Sequence, residues 1–325
     1  MAPPRLGFLG VGWIGRNRME AMLATGAVEA AAIADPSDEM AAEALKLAPC
    51  AKRVEGLDGL LAEGLDGIVI ATPSALHAEQ SIRALEAGAA VFCQKPLGRT
   101  AAEAAAVVEA ARKADRLLAV DLSYRFTEGM RRIRELIVAG ELGSIFACDL
   151  VFHNAWGPDK AWFYDPALSG GGCVMDLGVH LVDLALWVLD FPEVTGASAQ
   201  LLSKGEPLRG GVEDYAVAQL DLASGTSVRL ACSWNLPAGR EAVISASFYG
   251  TGGGAALNNV GGSFYDFTAA RYRGVTDELL VSPPDAWGGR AAADWAVRLG
   301  AGERFDPEAE RLVAVARALD RIYGR

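Results

Sequence analysis

Three glycines near the start constrain this chain more than any other feature. Gly10, Gly12 and Gly15 follow the apolar run Leu6–Leu9 and precede a helical pattern that begins near Arg16. A strand, a glycine turn and a helix in that order build a platform for a diphosphate. The first glycine permits the tight turn, the second lets the backbone approach a pyrophosphate, and the third lets the helix lie close to the strand. The helix N-terminus then offers N–H groups to the anion. Trp13 and Ile14, between the second and third glycines, are expected beside the same ligand. Asp35 stands 20 residues after Gly15 (35 − 15), at the end of the next expected strand, where a carboxylate accepts hydrogen bonds from an adenosine ribose. That carboxylate repels a 2′-phosphate, and no arginine follows in Asp35-Pro-Ser-Asp-Glu-Met, so NAD is expected rather than NADP.

The residues after this motif repeat its architecture. Strands are expected at Glu29–Ala34, Gly67–Ala71, Ala90–Cys93 and Leu117–Leu122, with helices at Asp38–Leu47, His77–Ala87 and Thr100–Ala114. Such alternation predicts a parallel sheet with helices on both faces. Beyond about Asp121 the pattern changes. Thr127–Ala139 reads as a helix, Ile145–His153 as a strand and Cys173–Leu189 as a helix. Residues 194–272 are strand-rich and often two-periodic, clearest at Tyr215–Leu222, Ser227–Trp234 and Val243–Tyr249. The expected fold is α/β: a doubly wound Rossmann domain over 1–122, then an α+β domain over 123–325 with a large, mainly antiparallel open sheet. A closing helix is expected over about 307–323, with Asp306 as its cap beside Pro307.

Composition excludes several function classes. A net charge of −11 with no basic stripe argues against a nucleic-acid partner. Five scattered cysteines without a CxxC suggest neither a disulfide framework nor a thiolate metal site, and no metal is expected. The most apolar stretch, Val174 to Phe191, is interrupted by Asp176, His180, Asp183 and Asp190, so no membrane span is expected. The start lacks the pattern of a secretory leader, and the expected compartment is the cytoplasm.

Three further patterns carry chemistry. Thr72-Pro73-Ser74-Ala-Leu-His77 follows the Gly67–Ala71 run. Gln94-Lys95-Pro96 follows the next strand. Ser169-Gly-Gly-Gly172 leads into Asp176-Leu-Gly-Val-His180-Leu-Val-Asp183. Together with the glycine motif, in this order and at these separations, they resemble the family of glucose–fructose oxidoreductase, inositol dehydrogenase and rhizopine-catabolism proteins (Gfo/Idh/MocA), over essentially the whole chain. The resemblance implies hydride transfer between NAD and a hydroxyl-bearing carbon of a sugar, cyclitol or sugar derivative. It implies that Lys95, Asp176 and His180 are catalytic, and that Thr72, Pro73, His77, Gln94 and Lys95 lie beside the cofactor. Tyr124-Arg125 resembles the family's crossover segment, which reaches the nicotinamide or the substrate; a hinge salt bridge is the other reading.

The residues support this chemistry on their own terms. Asp176 and His180 are four apart and share one face of a helix, where a carboxylate orients an imidazole and favours its protonated form; a satisfied surface pair has the same spacing. Lys95 ends a parallel strand at the edge where ligands bind, a place equally open to a solvated lysine. The proton acceptor is His180 or Lys95. The family usually has Glu where this chain has Gln94, which removes a charge beside Lys95. The loop 152–172 holds Trp156, Trp162, Phe163 and Tyr164, whose rings suit the C–H faces of sugars or the packing of a core; Trp162 is the expected substrate contact. The triple glycine either lets backbone approach the substrate or serves as a flexible joint. An NAD-requiring glycoside hydrolase of this fold and a non-catalytic dinucleotide or sugar sensor are the alternative functions. The open sheet predicts a homodimer or homotetramer.

Overall fold

The computed structural model describes residues 2–325. The chain forms two compact units. The first runs to Asp121 and takes in Gly289–Val313; the second comprises Leu122–Gly288 and Ala314–Arg325.

In the first unit, β1 (Arg5–Leu9), β2 (Glu29–Ala34), β3 (Lys52–Arg53), β4 (Gly67–Ile70), β5 (Ala90–Cys93) and β6 (Leu118–Val120) form one sheet in the order β3-β2-β1-β4-β5-β6. Every pairing is parallel. The order reverses direction between β1 and β4, and in such sheets the ligand crevice lies outside the strands' carboxyl ends at that point. Phe8, Ile33, Ile68, Ile70 and Phe92 are fully or almost fully buried along it. The helix after the glycine motif spans Trp13–Ala24 and so begins before Arg16, at the motif itself. The helix after β4 spans Ser74–Glu86 and begins before His77. Two elements carry no readable sequence pattern: β3 is two exposed charged residues, and the helix Gly56–Leu61 is too short to show a period.

A division at 122/123 puts the helix Arg290–Gly300 in the second domain, but this helix packs in the first unit. Its Trp295 is fully buried and lies 5.8 Å from the Phe92 ring. A Cβ on Gly67 would come within 2.9 Å of the Trp295 ring, so the bare glycine in β4 makes the seat for this tryptophan. Burial of a large aromatic side chain, about 150–250 Å² of area, outweighs sequence proximity.

The second unit carries β7 (Ile145–Asn154), β8 (Val194–Ser203), β9 (Glu206–Pro207), β10 (Tyr215–Leu222), β11 (Ser227–Ser233), β12 (Ala242–Gly250), β13 (Gly253–Asn259), β14 (Phe267–Arg273) and β15 (Thr276–Val281). Their order is β15-β14-β13-β12-β7-β11-β10-β8-β9, antiparallel except for β7 beside β11. One face buries Leu150 and Phe152, Leu230 and Cys232, Ile244 and Phe248. The alternate residues, Val151, Val217, Ala231 and Tyr249 among them, remain partly exposed. Helices Glu128–Val138 and Val179–Val188 pack within this unit. The closing segment is a 3₁₀ turn, Pro307–Glu310, followed by the helix Arg311–Tyr323; Asp306 accepts from Glu308 N at 2.9 Å as its cap. The stretch Pro166–Val188 is long and apolar enough to cross a membrane by composition, but 89% of its most apolar window is buried inside the protein, as in a core helix.

Candidate active site

The glycine platform has the shape a pyrophosphate needs. Gly10 adopts φ +83°, and a Cβ there would meet the Ala71 carbonyl oxygen at 2.6 Å. A Cβ on Gly15 would fall on the Gly10 carbonyl, whereas one on Gly12 would meet nothing within 4 Å. The turn is closed at its outer glycines and open at the middle one. Trp13 is 64% exposed at the start of the helix, and Ile14 is half-buried.

Asp35 lines a cavity of about 770 Å³ together with Gly10, Thr72 and Arg53. Its carboxylate accepts from Val11 N at 2.7 Å and from Ser37 N at 2.8 Å, one bond to each oxygen. A carboxylate offers about four lone-pair sites, so acceptor capacity remains for ribose hydroxyls. Arg53 comes from β3, the strand without a sequence signal, and its guanidinium is held by Asp38. An arginine therefore lines this cavity although none follows Asp35 directly in the chain.

The loops after β4 and β5 are tied together by His77. The ring is 1% exposed, and its nitrogens lie 2.7 Å from the Pro96 and Thr72 carbonyl oxygens. A neutral imidazole can donate to only one of them. Burial pushes the ring's proton affinity down, while the two carbonyls pull it back up. His77 therefore spends its polar atoms on the main chain and holds the segment that carries Lys95. Thr72 also donates from its hydroxyl to Gln80 Oε1 at 2.6 Å, and Pro73 stands at the N-cap position of the helix that follows without a side-chain hydrogen bond to it.

Gln94 and Lys95 leave the carboxyl end of β5, with Lys95 half-buried. Gln94 is buried, and its amide donates to Asp121 Oδ2 at 2.9 Å; Arg18 Nε donates to the same oxygen at 2.6 Å. A carboxylate therefore does stand beside residue 94, supplied by Asp121 from the end of β6. The amide nitrogen of Gln94, a residue expected beside the cofactor, is engaged by this neighbour.

In the second unit two glycines of the run make room for neighbouring residues. A Cβ on Gly172 would fall on the Glu213 carbonyl, and one on Gly171 on the Tyr323 hydroxyl. The glycines are there so that Glu213 and Tyr323 can approach. After them the chain makes a π-helical turn, Val174–Gly178, before the α-helix Val179–Val188. Single π-turns within helices often mark functional sites. Asp176 lies on the π-turn and His180 on the α-helix, so the expected uniform helix is wound wider at the aspartate.

Asp176 Oδ2 accepts from Trp234 Nε1 at 3.1 Å. Trp234 stands just past β11 and received no role from the sequence. Phe163 and Tyr164 meet its ring edge-on at 6.3 and 5.6 Å, and Trp162 stacks on Phe163 at 3.8 Å. The aromatic loop thus reaches the aspartate through Trp234. His180 is buried, 4.8 Å from the ring of Tyr124, which also packs on Phe152, Phe267 and Trp287. Burial drives the Tyr124 hydroxyl well above its ordinary range, so it stays protonated. Arg125 takes the salt-bridge reading: its guanidinium grips both oxygens of Asp183, with Nε at 2.7 Å from Oδ2. Asp183 is one turn beyond His180 on the same helix.

Two family models match the chain. Residues 5–122 match an oxidoreductase family with an NAD-binding Rossmann fold, and residues 130–256 match the GFO/IDH/MocA C-terminal domain. D-glucoside 3-dehydrogenase of Escherichia coli (strain K12) is 32% identical over 61% of this chain and 60% of its own length. Inositol 2-dehydrogenase of Rhodococcus erythropolis is 30% identical over 69% of this chain and 63% of its own length. The matches thus span less than two thirds of these relatives. Among solved structures, levoglucosan dehydrogenase in complex with NADH and levoglucosan superposes with a TM-score of 0.85 at 22% identity, covering 99% of this chain and 97% of that one. Aldose–aldose oxidoreductase from Caulobacter crescentus, complexed with glycerol, does so at 0.85 and 21%, with the same coverage. With the glycine platform and the aspartate–histidine helix matched by the family's two domain models, the chain belongs to the GFO/IDH/MocA oxidoreductase family.

Proposed function

We propose that the protein is an NAD(H)-dependent oxidoreductase acting on a hydroxyl-bearing carbon of a sugar, cyclitol or sugar derivative. The observation that carries this reading is the helix of the second unit, which presents Asp176 beneath Trp234 and the aromatic loop with buried His180 one turn on. Bound NAD supplies the hydride acceptor; the residues supply position and proton transfer. His180 takes the proton of the substrate hydroxyl, Asp176 orients the reacting groups, and Lys95 donates to the reacting oxygen and stabilises its developing charge. The aromatic rings, Trp162 among them, offer flat apolar faces to the C–H side of a sugar ring. Names of relatives support the substrate class: the levoglucosan, D-glucoside and inositol dehydrogenases all act on ring polyols. The test is NADH absorbance against a panel of aldoses, inositols, uronates and amino sugars. Turnover on a ring polyol supports the proposal. Glycoside cleavage without net NADH, or binding without turnover across the panel, overturns it.

The preferred cofactor follows from Asp35. A 2′-phosphate would meet its carboxylate and would have to draw Arg53 away from Asp38. Catalytic efficiency is expected to favour NAD. Asp35→Ala should raise the dissociation constant for NAD by about tenfold or more, the scale of a hydrogen bond to a charged group. It should also narrow the preference over NADP. A wild-type enzyme that prefers NADP contradicts the assignment.

The second face of the large sheet predicts the assembly. Val151, Val217 and Ala231 line a shallow cavity of about 660 Å³ there, bordered by Asp149 and Arg229. Apolar faces of this kind are usually covered by a symmetric copy. Light scattering at micromolar concentration should show a homodimer or homotetramer; a monomer rejects this reading.

A further inference from the structure

Glu213 lies at the start of β10's approach, far in sequence from the helix that bears Asp176 and His180, and it is 1% exposed. Its carboxylate accepts from Gly172 N at 3.0 Å, from Val174 N at 2.9 Å and from the Tyr323 hydroxyl at 2.7 Å. Tyr323 in turn accepts from Met175 N at 3.1 Å. Asp176 N donates to the Gly172 carbonyl at 3.0 Å. Cys173 N donates to the Glu213 main-chain carbonyl at 3.0 Å, so five consecutive N–H groups, 172 through 176, have fixed partners just before the catalytic side chains. The first N–H groups of a helix have no intrahelical acceptor and need one. A carboxylate is the strongest acceptor available, and it meets the positive end of the helix dipole.

A buried carboxylate is a costly way to cap a helix if capping is all that is wanted. Burial pushes the Glu213 carboxyl up from its ordinary range, against the pull of its hydrogen bonds. Burial beside that carboxylate also pushes the Tyr323 hydroxyl well up, so it remains a donor. Two glycines are spent on the same contact, because neither Gly171 nor Gly172 has room for a Cβ. A serine or asparagine cap would satisfy the N–H groups without either cost. What this arrangement adds is rigidity at one place, the π-turn that ends in Asp176.

We propose that Glu213 and Tyr323 are positioning residues for the proposed reaction: they lock the backbone of Gly172–Asp176, so that Asp176 is held by its main chain on one side and by Trp234 on the other. The lock rests on the reading of Asp176 and His180 as catalytic, and it extends that reading to two residues from β10's approach and the C-terminal helix. Neither touches the reacting atoms. Displacement of a catalytic group by about 1 Å costs on the order of 100-fold in rate, so loosening this lock acts on turnover and not on cofactor binding.

Glu213→Gln keeps the size but replaces one acceptor oxygen with an NH₂ that faces N–H donors. Tyr323→Phe removes a single hydroxyl and is the milder variant. Two readouts separate the lock from the chemistry: amide hydrogen exchange over Gly172–Asp176, and kcat beside the NAD dissociation constant from a fluorescence titration. The expected result is faster exchange in that segment for both variants, a fall in kcat of about 10-fold to 100-fold for Glu213→Gln, a smaller fall for Tyr323→Phe, and unchanged NAD affinity. Unchanged exchange in Tyr323→Phe, which retains the fold, overturns the lock. Faster exchange with full turnover overturns instead the assignment of catalysis to this helix, and the positioning role falls with it.

Discussion

Lys95→Ala and His180→Ala each lower kcat by about 100-fold or more, the usual scale for a lost proton-transfer group. NAD affinity changes little, because the proposed function assigns neither residue to the adenosine or the pyrophosphate, roles it gives to Asp35 and the glycine platform. The double variant loses less than the product of the two single losses, since groups that serve one step are not additive. Asp176→Asn keeps the acceptor for Trp234 Nε1 and leaves the fold intact while lowering kcat. Steady-state kinetics on the substrate found in the panel, with NAD titrations on the same preparations, check all four statements. Turnover near wild type in His180→Ala removes this mechanism and leaves the cofactor assignment standing.

Asp183→Ala has the largest expected effect on stability. Asp183 is buried, and Arg125 binds both of its oxygens. Burial raises the Asp183 carboxyl above its ordinary range even though Arg125 pulls it down, so desolvation outweighs the attraction. The sign follows from proton linkage. A carboxyl with a raised folded-state pKa binds more proton when folded, so its contribution falls as pH rises from the ordinary carboxylate range through the raised value. The pair is thus a poor source of net stability, yet breaking it is costly. Removal of one partner strands the other charge, and the loss is about 3–5 kcal/mol. Replacing both partners with apolar residues of similar volume, Arg125→Met with Asp183→Leu, recovers most of that loss. Urea denaturation midpoints of the single and double variants give the comparison. A single variant as stable as wild type shows that the pair does not anchor the helix.

The comparison of pattern with structure divides along sequence distance. Glu29–Ala34, Asp38–Leu47 and Ala90–Cys93 form as their periodicity predicts, since each is settled by local burial. The helices at Trp13 and Ser74 start earlier than their sequence pattern shows, because the helical period becomes visible only after a turn. The two-residue β3 offers no apolar run to read, and Arg53 in the cavity beside Asp35 goes with it.

The glycine motif, Asp35, Lys95 and the aspartate–histidine spacing were all legible in the sequence, because each is a short run whose chemistry depends on its neighbours in the chain. What surrounds them was decided only by folding. Asp121 answers Gln94 because parallel strands end side by side. Trp234 reaches Asp176 across 58 residues, Asp183 captures Arg125 across 58, and Glu213 pins Gly172 across 41. Trp295 returns to the first sheet from beyond the second. A single sequence records residue types and local spacing, while these partners are chosen by burial: a polar atom taken out of water must find whichever complement the fold brings within reach.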